Sequence, residues 1–424
     1  MDYSPEIKKL YLGLRQPQAE SLKILEKLAD ILELKKDTDV VGELEKVKAL
    51  YPTCASFERD FPSVCFALAT GVGKTRLMGA FISYLYIAKG IKNFFVLAPN
   101  LTIYEKLKAE FSEPNHPKYV FKGISEFVAN PPRVVTGDNY GEARQSSLFK
   151  ESVKINVFNI SKINSEVRGG KEPRIKRLSE YLGESYFNYL SELPDLVLLM
   201  DESHHYRAAA GMKAINELKP ILGLELTATP KWFGRGNTDN KFKNVVYEYS
   251  LSMALKDPQG YVKEPSVATR RNFNASQYAS NSPELDLLKL EDGIRLHEDT
   301  KVALDIYSRD TRSRLVRPFV LVVTKDTTHA GKIKELIESD RFFGGRYKGK
   351  VIEIRSKLSK EESDDNIAKL LDLEKAENQI EIVIHVSMLK EGWDVANLYT
   401  IIPLKASNSE ILVEQTIGRG LRLP

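Results

Sequence analysis

The chain has 424 residues, of which 42% are hydrophobic and 28% are charged, and its formal net charge is +4. The length predicts two or more domains, and the composition is typical of a globular protein without low-complexity tracts. The two cysteines, Cys54 and Cys65, lack the spacing of a metal site or a disulfide framework. The cysteine usage predicts a reduced chain. Because no apolar run is long enough to span a membrane, we also expect the chain to be cytoplasmic.

The first part of the chain predicts helices followed by a parallel sheet. Apolar residues recur at helical spacing between Gln16 and Leu34, and residues 35–60 suggest a further helix and a loop. Between residues 62 and 230, apolar runs alternate with amphipathic segments; the predicted strands are SVCFALA, NFFVLAP, INVFNI, DLVLLMDE and LGLELTAT. Unbroken apolar runs suit parallel strands that are covered on both faces. The alternation therefore predicts an α/β fold.

A second alternating series begins at RPFVLVVT and continues through KVIEIRS, IEIVIHVSML and LYTIIPL. We predict a helical N-terminal segment over residues 1–61, which contains the Gln16 region, and a first α/β domain over residues 62–264. A helical connection follows over residues 265–316, and a second α/β domain over residues 317–424. No closing helix or strand follows GRGLRLP, so we expect the second domain to be incomplete.

The stretch LATGVGKTRL follows the first predicted strand and opens a helix. In this order, the backbone N–H groups of the turn and of the helix N-terminus point at phosphate oxygens. Lys74 would reach the β- and γ-phosphates of ATP, and the Thr75 hydroxyl would bind Mg²⁺. The predicted nucleotide-binding residues are Thr70, Gly71, Val72, Gly73, Lys74, Thr75 and Arg76. Leu68 replaces the usual first glycine of this motif, and the alternative is an ordinary turn into a core helix.

The run LVLLMDESHH brings two carboxylates to the end of a predicted strand, where open α/β sheets bind ligands. We predict that Asp201 binds Mg²⁺ together with Thr75, and that Glu202 orients and deprotonates the attacking water. The alternative is a pair of solvated acids. His204 and His205 have no third ligand at a useful spacing, so we predict no zinc site there.

These stretches, in this order, resemble the motifs of superfamily 2 helicases and translocases. DESH resembles their DExH box, LTATP their motif III, LKEGWDV their motif V and EQTIGRGLR their motif VI. The sequences DESHH, LKEGWDV and EQTIGRGLR are most similar to those of the restriction (Res) subunit of type III restriction enzymes. The resemblance covers nearly the whole chain. It implies two RecA-like parallel-sheet lobes, an ATP-dependent DNA motor and a modification methyltransferase as partner subunit.

The resemblance also implies roles for residues at the nucleotide. LRQPQ resembles the adenine-reading region, with Gln18 as the reader, although the commoner wording is LRPYQ. Lys74 and Glu202 would act with Arg419 and Arg422, whose positive charges would offset the charge that develops in γ-phosphoryl transfer. The alternative for the two arginines is surface charge at a helix end.

Further roles connect the nucleotide with the rest of the motor. By motif position, Gln415 and His204 would link the two lobes, and Gly392 and Asp394 would couple the DNA-binding face to the nucleotide. Small polar residues that follow predicted strands suit contacts with the phosphate backbone of duplex DNA. The predicted DNA-contacting residues are Asn100, Asn159, Ser161 and Thr229. The basic stretch RGGKEPRIKR would either widen that surface or form a solvated loop.

One pair of short stretches imitates a nuclease signature. PD at residues 194–195 and ELK at residues 217–219 resemble PD…ExK. However, Asp195 begins the strand that carries Asp201, and Glu217 falls in a helical pattern, whereas the nuclease needs its ExK on a strand. We therefore expect no nuclease within this chain. In type III enzymes the nuclease lies beyond the motor.

Several functions fit parts of these observations. We predict an ATP-dependent DNA translocase, the motor part of a type III restriction enzyme. An RNA helicase or a DNA-repair helicase is the alternative within the superfamily. A small-molecule kinase would give no reason for the second α/β series. A catalytically inactive scaffold is disfavoured because the residues expected to act on ATP are all present.

Overall fold

The computed structural model divides the chain into two compact units, Met1–Met253 and Ala254–Pro424. The residues that the structure describes are 4–136, 139, 152–159, 184–207, 209–233, 239–271, 273–274, 278, 282–354, 372–375, 377–386, 395–404, 417–418 and 420–423. The division into four segments expected from the sequence stays a prediction.

The first unit is built on a seven-stranded sheet. Its strands are β1 (Ser63–Leu68), β2 (Asn93–Ala98), β3 (Arg133–Val135), β4 (Lys154–Asn159), β5 (Leu196–Asp201), β6 (Leu222–Thr227) and β9 (Val245–Tyr249). They lie in the order β3-β4-β2-β5-β6-β1-β9, and every neighbouring pair is parallel. All five strands predicted from apolar runs are confirmed. Every residue of β1, β5 and β6 is buried, as expected for central strands that are covered on both faces.

Some helices of this unit begin at a capping side chain or at a glycine turn. The helices of this unit are α1 (Ser4–Leu10), α2 (Gln16–Ile31), α3 (Val40–Leu50), α4 (Lys74–Lys89), α5 (Leu101–Ser112), α6 (Ser125–Ala129), α7 (Glu184–Glu192) and α8 (Ala209–Glu217), followed by α9 (Leu251–Lys256). The predicted N-terminal helix is confirmed as α2, which packs against α4 and ends three residues before Leu34. The Asp39 side chain caps α3, and the Asn100 side chain caps α5.

A two-stranded antiparallel ribbon follows the last central strand of the first unit. Strand β7 (Lys231–Phe233) pairs with β8 (Asp239–Lys241), so that Trp232 lies opposite Asn240. Because the chain then returns into β9 beside β1, the ribbon is a short excursion between two strands of the main sheet.

The second unit confirms the second predicted α/β series. Its strands are β10 (Phe319–Thr324), β11 (Val351–Ile354), β12 (Ile382–Val386) and β13 (Leu398–Pro403), which form a parallel sheet in the order β11-β12-β10-β13. Two helices of this unit, α10 (Pro283–Thr311) and α11 (Thr327–Glu338), pack on the sheet. Leu290 and Ile294 of α10 join its core. Among the described residues, no helix combines the length and apolarity needed to cross a membrane.

Candidate nucleotide-binding site

The glycine turn lies at the carboxyl end of β1, directly before α4. Gly71 has a backbone φ of 87° and Gly73 of 97°, both in the left-handed region that favours glycine. Helix α4 begins at Lys74, so its first N–H groups face the turn. Strand, turn and helix therefore follow one another as the sequence predicts, and they form the kind of backbone cradle that binds phosphate.

Strands β1 and β5, which lie on either side of β6 in the sheet, bring a cation and a pair of carboxylates together at their carboxyl ends. Lys74 Nζ lies 3.1 Å from Glu202 Oε1, and both side chains are mostly buried. Asp201 ends β5 and is itself buried, and its Oδ1 accepts a hydrogen bond of 3.1 Å from the Glu202 backbone N–H. The structure thus places Lys74, Asp201 and Glu202 at one edge of the sheet.

The two carboxylates differ in their affinity for protons. Burial, together with the nearby charge of Glu202, raises the pKa of Asp201 to about 6. Burial alone would also raise the pKa of Glu202, but Lys74 and His204 outweigh it and lower that pKa to about 2. At neutral pH both carboxylates are mostly ionised, and Glu202, beside Lys74, keeps its charge to a lower pH than Asp201 does. Asp201 is the member that would gain more from a bound cation.

The N-terminus of α2 packs directly against the glycine turn. Gln18 is buried, and its Nε2 donates to the backbone carbonyls of Val72 at 3.1 Å and of Gly73 at 2.8 Å. A Cβ at Gly73 would lie 2.5 Å from that nitrogen, so a larger residue would displace the Gln18 amide and would also have to adopt an unfavourable φ of 97°. The adenine-reading role of Gln18 stays a prediction. Its amide contacts the turn in this structure.

Arg15 also contacts the turn, and the motifs did not single it out. Its Nη1 donates to the carbonyl of Gly71 at 2.6 Å, and its backbone N–H donates to Gln18 Oε1 at 2.8 Å. The one available signal was its place three residues before Gln18. A basic side chain beside a predicted adenine reader is a candidate for phosphate or turn contacts.

The remaining residues predicted to act on the nucleotide lie beside the turn, in the second unit, or outside the described part of the chain. Thr70, Thr75 and Arg76 are partly exposed beside the turn, and Arg76 donates to the Val120 carbonyl. Three predicted residues and the motif V glycine lie outside the described part of the chain: Asp394, Gln415, Arg419 and Gly392. Arg422 is described, and it is partly buried in the second unit.

Two of the predicted DNA contacts, Asn100 and Thr229, make local hydrogen bonds in the fold. Asn100 Oδ1 accepts from the Ile103 N–H at 3.0 Å and so caps α5. Asn159 is 2% exposed and Thr229 is 6% exposed, and the Thr229 N–H donates to a neighbouring threonine hydroxyl. Ser161 and the basic stretch RGGKEPRIKR lie outside the described residues. Contact of these residues with DNA stays a prediction.

The nuclease-like stretches do not form a nuclease arrangement. Asp195 accepts from the Lys92 N–H at 2.7 Å and from Asn93 Nδ2 at 2.5 Å, which secures the start of β2. Glu217 is the last residue of α8. The prediction that the glutamate of ELK belongs to a helix is therefore confirmed.

A second group of potential metal ligands lies in the other unit. Ligand atoms of His297, Glu298 and Glu381 lie within 4.8 Å of one another. Glu381 already accepts from Lys301 at 2.6 Å and from Lys350 at 2.5 Å. Because these ammonium groups occupy the carboxylate oxygens, we interpret the group as an ion-pair network of the fold and not as a metal site.

The two parallel sheets, with a Gly-Lys-Thr turn and an Asp-Glu strand end at one edge of the first, define a P-loop protein with two RecA-like lobes. The family model described as type III restriction enzyme, res subunit, matches residues 12–232, which is more than half of the chain. The chain belongs to this family, and the resemblance predicted from the motifs is confirmed.

Individual relatives agree with this assignment. The probable type III restriction-modification enzyme HindVIP Res subunit of Haemophilus influenzae is 27% identical over an alignment of 172 residues, and the match covers 38% of this chain and 29% of the relative. The chain thus spans less than a third of that relative's length. The structure of the ATP-dependent type ISP restriction-modification enzyme LlaBIII bound to DNA matches this chain with a TM-score of 0.53 and 14% sequence identity. The match covers 97% of this chain and 27% of the LlaBIII chain. This second likeness supports the fold.

Proposed function

We propose that this chain is the ATP-dependent DNA translocase motor of a type III restriction enzyme. The observation that carries the proposal is the contact between Lys74 and Glu202 beside Asp201, at the edge where the glycine turn opens. Membership in the Res-subunit family supports it. The name of LlaBIII states that the enzyme is ATP-dependent, and its structure holds DNA.

The residues at the sheet edge fit a Mg²⁺–nucleotide complex. The Thr75 hydroxyl and the Asp201 carboxylate are oxygen donors of the kind that Mg²⁺ prefers. Burial and the charge of Glu202 raise the pKa of Asp201, so a bound cation would favour its ionised form. When bound, Mg²⁺ would supply positive charge against the developing charge of the phosphates. Thr75 and Asp201 are the residues that would hold it.

Lys74 and Glu202 would act in sequence. In this structure Lys74 holds Glu202, whose carboxylate stays ionised. When Lys74 turns to the phosphates, Glu202 loses its cation and becomes available to accept a hydrogen bond from water. An ionised, oriented carboxylate is suited to position that water for attack on the γ-phosphate.

Movement along duplex DNA is the part of the proposal that rests on the family. The corresponding substrate would be the phosphate backbone, and a modification methyltransferase would be the partner subunit. An RNA helicase or a DNA-repair helicase is the competing function. The choice of polynucleotide that stimulates ATP hydrolysis separates a DNA motor from an RNA helicase.

The test compares Lys74→Ala with Lys23→Ala, the same substitution at an exposed lysine of α2 that pairs with Glu20 on the surface. Lys74→Ala is expected to abolish tight ATP binding and hydrolysis, and Lys23→Ala is expected to change neither. Duplex DNA should stimulate the wild-type chain more than single-stranded RNA does. Normal turnover in Lys74→Ala would exclude the site, and stimulation by RNA alone would favour the competing function.

A further inference from the structure

The backbone of Glu202 is held in an unfavourable conformation. Its φ of 48° and ψ of 55° lie in the left-handed region, which residues with a Cβ adopt rarely. The next residues, Ser203–Tyr206, form a single 3₁₀ turn whose first hydrogen bond runs from the His205 N–H to the Glu202 carbonyl at 3.1 Å. Such a conformation persists only when the surrounding structure holds it.

Two contacts fasten this turn to β6. At its start, His204 Nδ1 lies 3.1 Å from Thr227 Oγ1. Directly after its end, Arg207 Nη2 donates to Glu225 Oε2 at 2.5 Å. Glu225 and Thr227 are two residues apart on β6, so both contacts are made on one face of the strand. The turn that carries Glu202 is therefore attached to the sheet at both ends.

The second attachment is buried and charged. Arg207 is 2% exposed and Glu225 is 0% exposed. Arg207 also donates to Glu58 at 2.5 Å and to Asn244 at 3.0 Å, and its guanidinium stacks at 3.8 Å on the Phe242 ring. A planar group with several donors is therefore fixed in one orientation from several sides.

Glu225 connects Arg207 to the strand that carries the glycine turn. Its Oε1 accepts from Ser63 at the start of β1 at 2.9 Å and from Asn244 at 3.0 Å, and Arg59 Nε lies 3.4 Å away. Burial would raise the pKa of Glu225, but Arg59 and Arg207 outweigh it and lower that pKa. The cluster thus links β1, β6 and the turn after Glu202 through one ionised carboxylate.

Stability alone is a weak reason for this cluster. Removing charges from water is costly, and a buried ion pair is often no more stabilising than apolar residues of similar volume. The contacts of Arg207 do, however, set where the turn ends relative to β1. The position of Glu202 relative to Lys74 depends on those two elements.

We propose that Arg207, held by Glu225, is a positioning residue that keeps Glu202 in its left-handed conformation opposite Lys74. The inference rests on the proposed ATP hydrolysis. Arg207 does not touch the nucleotide. It acts through the 3₁₀ turn, so its loss should disturb the placement of the water and leave the phosphate cradle intact. Misplacement of a reacting group by about 1 Å costs roughly a hundredfold in rate.

The experiment measures kcat and nucleotide affinity separately in Arg207→Lys and in Glu225→Gln. Arg207→Lys keeps the positive charge on a slightly shorter side chain, and Glu225→Gln keeps the side-chain shape and can still hydrogen-bond to Ser63 and Asn244. We expect kcat per folded molecule to fall at least about tenfold, while the affinity for ATP changes by less than about threefold. The control is Val47→Ala, which removes buried apolar volume from α3 and should lower the melting temperature while keeping kcat.

The outcomes separate the inference from the proposed function. If the wild-type chain does not hydrolyse ATP at all, the proposed function fails. If it does, normal kcat in both variants overturns the positioning role. The positioning role is also overturned if kcat and ATP affinity both fall, and fall only in proportion to the loss of folded protein. If neither variant folds while Val47→Ala does, the cluster is structural and the inference is also overturned.

Discussion

Glu381→Gln is expected to loosen the second unit. Glu381 lies directly before β12 and receives two short hydrogen bonds from ammonium groups, those of Lys301 and Lys350. Hydrogen bonds to charged groups contribute about 1.5–3 kcal/mol, whereas exposed ion pairs contribute about 0–1 kcal/mol. The lysine side chains are about one third exposed. We therefore expect a loss of about 2 kcal/mol, close to a 30-fold change in the opening equilibrium.

The pH dependence of this loss follows from the pKa of Glu381. Burial would raise that pKa, but His297, Lys301 and Lys350 outweigh it and lower it far below its ordinary value of 4.5. A carboxylate with a lowered pKa in the folded state contributes stability above its unfolded pKa, and this is lost as the pH falls through the folded value. The difference between Glu381→Gln and wild type should be complete at neutral pH and shrink below about pH 4.5.

Hydrogen exchange detected by mass spectrometry is the suitable assay, because it reports on each unit separately. Amides of β10 and β12 should lose about 30-fold protection in Glu381→Gln, and those of β1 and β5 should not change. The matched control is Asp292→Asn, which removes an exposed ion pair with Arg270 in the same unit. Its expected effect on protection is small, because the pair is exposed to solvent. Equal effects of the two substitutions, or equal loss in both units, would refute the reasoning.

Two further predictions concern the motor. Arg422→Ala should reduce DNA-stimulated ATP hydrolysis at least about a hundredfold with little change in ATP affinity, because Lys74 and the glycine turn remain. Near-normal hydrolysis in that variant would contradict the role assigned to Arg422. Duplex-DNA affinity should fall roughly tenfold or more between low and moderate salt, since backbone contacts release counterions. A salt-independent affinity measured by fluorescence anisotropy would exclude backbone tracking.

The fold was predictable where local sequence reports on burial. The five predicted strands of the first unit are mostly apolar because the sheet is covered on both faces. Strand β9, with the sequence VVYEY, was not predicted. It lies at the edge of the sheet, only Val246 and Tyr249 of its residues are buried, and Glu248 interrupts its apolar run. Strand β3 has only three residues, too few for a pattern.

The candidate site was predictable to the extent that its parts are local motifs. Lys74 and Glu202 each lie next to a strand end, and parallel strands bring such ends to one edge. The cluster around Glu225 was not predicted. Its partners Arg59 and Arg207 stand 166 and 18 residues away in the chain. One sequence carries no signal for a buried pair at such separations, since each residue alone resembles ordinary surface charge.

The charges at the site predict that nucleotide binds as its magnesium complex. Lys74 is the cation in contact with the Asp201–Glu202 pair. When Lys74 turns to the phosphates, the buried carboxylate of Asp201 and the mostly buried one of Glu202 remain beside a polyanion, and their repulsion is weakly screened away from water. A divalent cation between Asp201 and the phosphates removes that repulsion. Titration with a fluorescent ATP analogue should therefore show at least about tenfold weaker binding in EDTA than in Mg²⁺, and Asp201→Asn should reduce that difference. Equal affinity with and without Mg²⁺ in the wild-type chain would show that Asp201 does not face the phosphates.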